Sequence, residues 1–162
     1  MALESSEKEL VAIGASVGAG CRPCIEHHIP AAREAGLSER EIAAAVANAE
    51  AVRGVAAELL SARSRELLGD TGAPARRPDA DTGSRADELA ALGASIGVNS
   101  HPLLERHLQG GLASGLTAEQ IQAAIRMAEY VQRHAAEMTA DKASAVLEAS
   151  NASPETPNGA PD

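Results

Sequence analysis

Apolar positions recur every three or four residues along most of the chain, a spacing that predicts helices. In the first segment, about residues 4–17, Leu10, Ile13 and Val17 share one stripe, and Gly18 and Gly20 are expected to end it. A second helix is expected to start near Cys21 and stop before Gly36, a residue type suited to the left-handed turn after a helix. Pro30 lies inside that segment and should kink or shorten it. Ser38 followed by Glu41 reads as a capping box that opens a long third helix. There Ile42, Ala45, Ala49, Val52, Ala56 and Leu59 keep a 3-4 spacing, a narrow seam for a partner helix.

The pattern then repeats. With a shift of 79, residues 9–18 (ELVAIGASVG) lie over 88–97 (ELAALGASIG). Pro23 falls on Pro102, Glu26 on Glu105, His28 on His107, and the capping pair on Thr117 and Gln120. Of the 50 positions from 9 to 58, 21 are identical without a gap, which points to an internal duplication even in an alanine-rich chain. The expected organisation is a first unit over 1–68, a Gly-, Pro- and charge-rich linker over 69–83, a second unit over 84–149 and a disordered tail over 150–162. The fold class is all-α, with two tandem helical repeats packed as a pseudo-symmetric pair.

Composition sharpens this picture. Alanine supplies 36 of the 162 residues, with no Phe, no Trp and one Tyr, which favours close-packed helices over a sandwich or barrel. Each unit of some 70 residues has little apolar volume of its own, so a closed homo-oligomer is expected. The net charge of −9 argues against nucleic acid as a main partner, because phosphate binding needs a basic stripe. No apolar run approaches the roughly 20 residues of a membrane span, and the acidic N-terminus does not suit a secretory leader. A cytoplasmic protein is expected. In a reducing compartment two cysteines point to catalysis or metal binding rather than a structural staple.

Those cysteines stand in Cys21-Arg-Pro-Cys24-Ile-Glu-His-His28, with Glu9 twelve positions earlier. On a helix, Cys21, Cys24 and His28 fall within about 60° of one another, whereas His27 lies further from Cys21. The positive end of the helix dipole and the neighbouring Arg22 both favour thiolate. Spacing alone leaves three readings open: a redox pair, a zinc site built from Cys21, Cys24, His28 and Glu9, or two incidental cysteines. His27, His101 and His134 read as surface residues and Tyr130 as packing. Gly14, Gly18 and Gly20 match neither a phosphate loop nor a dinucleotide fingerprint.

The full spacing Glu-x11-Cys-x2-Cys-x3-His, followed by Gly-Leu-Ser and a long helix, resembles the alkylhydroperoxidase D family of the carboxymuconolactone decarboxylase-like superfamily. Glu9, Cys21, Cys24 and His28 fill its four motif positions; the likeness covers about residues 3–60 and, more weakly, 88–138. The resemblance implies thiol-dependent reduction of hydroperoxides with a disulfide formed between the two cysteines. It also implies a proton relay through the glutamate and histidine, and reset by a dithiol such as lipoamide or a partner protein. Trimers of two-repeat chains are common in that family. On this reading Cys24 attacks the peroxide, Cys21 resolves, His28 takes the thiol proton and Glu9 orients it. No cofactor or metal is required. The second copy departs from the pattern, with Ser100 and Leu103 where the cysteines would stand, yet keeps Glu88 and His107. A purely structural Glu–His pair therefore stands beside the catalytic one. The rival functions are a lactone decarboxylase with dispensable cysteines and a non-enzymatic redox- or zinc-responsive binding protein.

Overall fold

In a computed structural model, residues 2–69 and 83–152 are described, and they fold as six helices with no strand among them. These are α1 (Ser5–Ala19), α2 (Arg22–Glu34), α3 (Glu39–Leu67), α4 (Arg85–Gly97), α5 (His101–Ala113) and α6 (Ala118–Ala152). The all-helical expectation holds, and the capping chemistry read from the sequence sets the helix starts. Ser38 and Glu41 cap α3 reciprocally, and Thr117 and Gln120 exchange the same two bonds before α6. Ser84 and Asp87 do likewise for α4, a device the sequence reading passed over. After α2, Gly36 takes φ +90, and the Leu37 N–H reaches the Ala32 carbonyl at 3.0 Å. Gly115 and Leu116 repeat that ending after α5, with φ +89 and a 3.0 Å bond to Gly111. Helix α2 runs through Pro30 to Glu34 and is not shortened by it.

Gly18 does not end α1, which continues to Ala19 and closes at Gly20 with φ +66. Gly18 serves packing instead. Helices α1 and α4 lie against each other at the centre, and each also touches both long helices, α3 and α6. A Cβ on Gly14 would run into the Ala90 carbonyl, and one on Gly93 into the Val11 carbonyl. Gly18 and Gly97 stand in the same reciprocal relation to the carbonyls of Ala94 and Ala15. Because neighbours surround α1, the whole run Leu10, Val11, Ala12, Ile13, Gly14, Ala15, Ser16 is buried, rather than a single stripe. The Ser16 and Ser95 hydroxyls are satisfied by donating to the carbonyls four residues back.

The α3 seam is also filled from within the chain. Ile42, Ala45, Ala49, Val52 and Ala56 are buried, and α3 packs against α1 and α4. The seam therefore gives no argument for a second subunit. The linker expected over 69–83 falls mostly on residues outside the described set. The expected tail begins too early: α6 runs on through Ala152, carried by helix-favouring alanines, with the Ser150 hydroxyl bonded to the Val146 carbonyl. The rest of the expected tail lies outside the described residues.

One ion pair clips the central helices together, Arg85 Nε donating to Glu7 Oε1 at 2.6 Å. Burial pushes the Glu7 carboxyl up, but the Arg85 hydrogen bond and charge, with the Glu4 N–H, outweigh it and hold Glu7 below the usual carboxylate range. A carboxyl depressed on folding stabilises fully above its unfolded value, about 4.3, and that contribution fades as pH falls through the lower folded value. Glu7→Gln should therefore lower the melting temperature at pH 7 by the equivalent of about 1 kcal/mol or less. Melts repeated below pH 3 should show the variant and the parent converging.

Candidate active site

The turn between α1 and α2 places both cysteines. Cys21 is the N-cap of α2, and the Cys24 N–H points at the Cys21 sulfur at 3.2 Å, with Pro23 in the first turn. The two sulfurs are joined as a disulfide, with Cα atoms 5.3 Å apart. Both residues are buried. One turn beyond Cys24, His28 is buried at 8% exposure, and its Nδ1–H donates to Glu9 Oε2 on α1 at 2.9 Å. A carboxylate on Nδ1 leaves Nε2 as the ring atom with a free lone pair.

Cys24 and His28 line one pocket of about 360 Å³. Its far wall comes from α6: Tyr130, Val131, His134 and Met138. The sequence offered no signal for these residues, which lie more than 100 positions from the cysteines and reach them only through the packing of α6 on α1. Tyr130 is not a packing residue. It is 55% exposed and stacks on His134 with ring centroids 6.2 Å apart. His27, His101 and His134 are exposed as expected, but His27 and His134 also line this pocket, His27 standing edge-on to His28 at 4.9 Å.

Cys21 borders a second and broader opening of about 940 Å³, a groove between the α1–α2 turn and the C-terminal half of α6. Pro23 and Met138 line both openings and form a ridge between them. Among the described residues no three His, Cys, Asp or Glu side chains cluster so as to hold a metal ion. Nor is any helix long and apolar enough to cross a membrane.

The corresponding place in the other half holds the same dyad without sulfur. His107 Nδ1–H donates to Glu88 Oε2 at 2.9 Å, and the Gly83 N–H to Glu88 Oε1 at 3.0 Å. Leu103, where Cys24 would stand, is buried, and Ser100 caps α5 without a side-chain bond. The dyad's geometry therefore does not depend on a neighbouring thiol.

An all-helical chain with a cysteine pair beside a half-buried carboxylate–imidazole dyad is the class of protein that fold and site define. Residues 2–66, which span α1, α2 and nearly all of α3, match the model of the carboxymuconolactone decarboxylase family. Among solved structures the chain is similar to a protein from Burkholderia xenovorans LB400 described as a gamma-carboxymuconolactone decarboxylase subunit. The TM-score is 0.65 at 14% identity, over 91% of this chain and 80% of that one, a likeness of fold. No curated protein matches the sequence.

Proposed function

We propose that the protein is a thiol-dependent peroxidase in which Cys24 is the attacking residue. The observation that carries this reading is the Cys21–Cys24 disulfide set against the half-buried Glu9–His28 pair. In the reduced protein His28 Nε2 takes the Cys24 proton, and the thiolate attacks a peroxide oxygen. The O–O bond breaks, Cys24 becomes a sulfenic acid and the alcohol or water leaves with a proton. The Cys21 thiolate then displaces hydroxide, released as water, to give the disulfide, and an external dithiol resets it. Glu9 holds the imidazole in the useful tautomer. The two halves act as tandem repeats, the second giving up chemistry and supplying the α6 wall. Closed assembly, with three chains as the expected number, is part of this reading. Its support is the apolar surface left at Leu60, Leu67, Val146 and Leu147, each more than half exposed.

The family match and the structural neighbour's description speak more directly for the other reading, a lactone decarboxylase. The two readings separate on the sulfurs. One equivalent of hydroperoxide should abolish both titratable thiols of the reduced protein and lower its mass by two hydrogens. With Cys21→Ser, the same pulse should leave a dimedone-reactive sulfenic acid on Cys24. Unchanged thiols, together with lactone consumption that survives Cys21→Ser/Cys24→Ser, would establish the decarboxylase instead.

A further inference from the structure

The half without sulfur keeps a pocket where the first half has its own, a cavity of about 190 Å³ lined by the Glu88–His107 dyad. A shift of 79 carries its walls onto those of the Cys24 pocket. Leu103 stands where Cys24 does, Arg106 where His27 does, and Ala51 and Val55 where Tyr130 and His134 do. In a half kept only as scaffold, larger side chains would fill such a cleft and gain packing contacts. Here the two α3 side chains are instead smaller than their α6 counterparts. The dyad is also better enclosed than the one beside the cysteines: the Glu88 side chain is 5% exposed and that of Glu9 17%. Gly110 makes room for it, because a Cβ there would run into the Glu88 carboxylate. The first half has Ala31 at that place.

Both Glu88 oxygens are taken, Oε2 by the His107 Nδ1–H and Oε1 by the Gly83 N–H, which fixes the ring. In that tautomer Nε2 is an acceptor, and it has no partner among the described residues. Asp87 lines the pocket too, but its Oδ2 is bound by the Ser84 N–H and hydroxyl. Both wall carboxylates are thus held by donors of the chain. The half-buried Arg106 is held by nothing among the described residues. Val52, Val55 and Leu103 add an aliphatic wall. The pocket therefore combines a donor-only cation, a ring acceptor and an alkyl surface. From this juxtaposition we infer that it is a binding site for a short-chain 2-hydroxy acid. The carboxylate accepts from Arg106, the hydroxyl donates to His107 Nε2, and the alkyl tail lies on Val55 and Leu103. The volume is below the roughly 300–1,000 Å³ of drug-sized sites, so the two polar groups must sit close together, as on adjacent carbons. No bond is made or broken, and the inference is independent of what the cysteines do.

The test titrates the full chain with 2-hydroxybutyrate, butyrate and 2-hydroxybutyramide, which isolate the hydroxyl and the charge. The ring-proton NMR signals of the five histidines report where each probe binds. 2-Hydroxybutyrate should shift the His107 signal saturably, with a Kd of the order of 1 mM or tighter, and leave the His28 signal in place. Butyrate and the amide should each bind about tenfold more weakly, one lacking the hydrogen bond and the other the charge. Arg106→Gln removes no bond of the folded chain, so its melting temperature should match the parent's while 2-hydroxybutyrate binds about tenfold more weakly. A His107 signal unmoved by 2-hydroxybutyrate, or a saturable shift at His28 in its place, would overturn the inference. So would butyrate binding as tightly as the hydroxy acid, or an affinity indifferent to Arg106→Gln.

Discussion

Gly93→Val is expected to leave no folded protein at 25 °C, and Gly93→Ala to cost at least about 3 kcal/mol, visible as a lower urea midpoint. At this position α4 meets α1 backbone to backbone, and a Cβ would strike the Val11 carbonyl. Main chain inside a helix cannot swing aside as the end of a side chain can, so the helices must separate. They cannot do so locally, because α3 and α6 each span both. Overpacking usually costs about 1–3 kcal/mol and more where the backbone itself must shift, against a total stability near 5–15 kcal/mol. Gly14→Val should behave in the same way, being the reciprocal contact. Gly54→Ala is the matching control. It is an exposed α3 position with nothing within 4 Å of the added carbon, and the change should stabilise by up to about 1 kcal/mol.

The second large effect concerns chemistry. His28→Ala should slow peroxide oxidation of Cys24 by about 10²-fold at pH 7, the usual contribution of a positioned base. The loss should shrink to a few-fold well above pH 8.5, where an ordinary thiol ionises unaided. Stopped-flow oxidation of the reduced protein across pH checks this, and a rate indifferent to His28 at every pH would leave it a structural residue. His107→Ala supplies the comparison inside the same molecule. It removes a bond of the same 2.9 Å length and leaves Glu88 buried without its imidazole, so about 1–3 kcal/mol of stability should disappear. The peroxide rate should not follow. Subtracting one histidine's effect from the other's separates holding helices together from moving protons.

What could be read from the chain was whatever sits close in sequence. Capping residues announced the starts of α3 and α6, Gly36 the end of α2, and helical spacing put Cys24 and His28 on one face. The Glu9–His28 pairing was legible only through the family likeness, since nothing local joins α1 to α2 at that point. Gly18 was misread because a glycine that permits close helix approach looks, in one dimension, like one that ends a helix. Tyr130 was misread for a related reason. A lone aromatic in an aromatic-free chain invites placement in the core, but α6 turns it outward over the Cys24 pocket. The α3 seam had the right residues and the wrong partner, because periodicity says that a face is covered and not by what.

Helix α6 walls both openings of the cysteine pair, and this sets how the polypeptide can be divided. A fragment ending at residue 68 keeps Glu9, Cys21, Cys24 and His28, yet it loses Tyr130, Val131, His134 and Met138 from one opening and Arg133 and Lys142 from the other. It also exposes the α1 face that α4 covers. Cutting the chain between Gly69 and Gly83 therefore makes two pieces that need each other, and activity should return only when they recombine, as in fragment complementation. The half without sulfur is the other wall of the vessel in which the sulfur works.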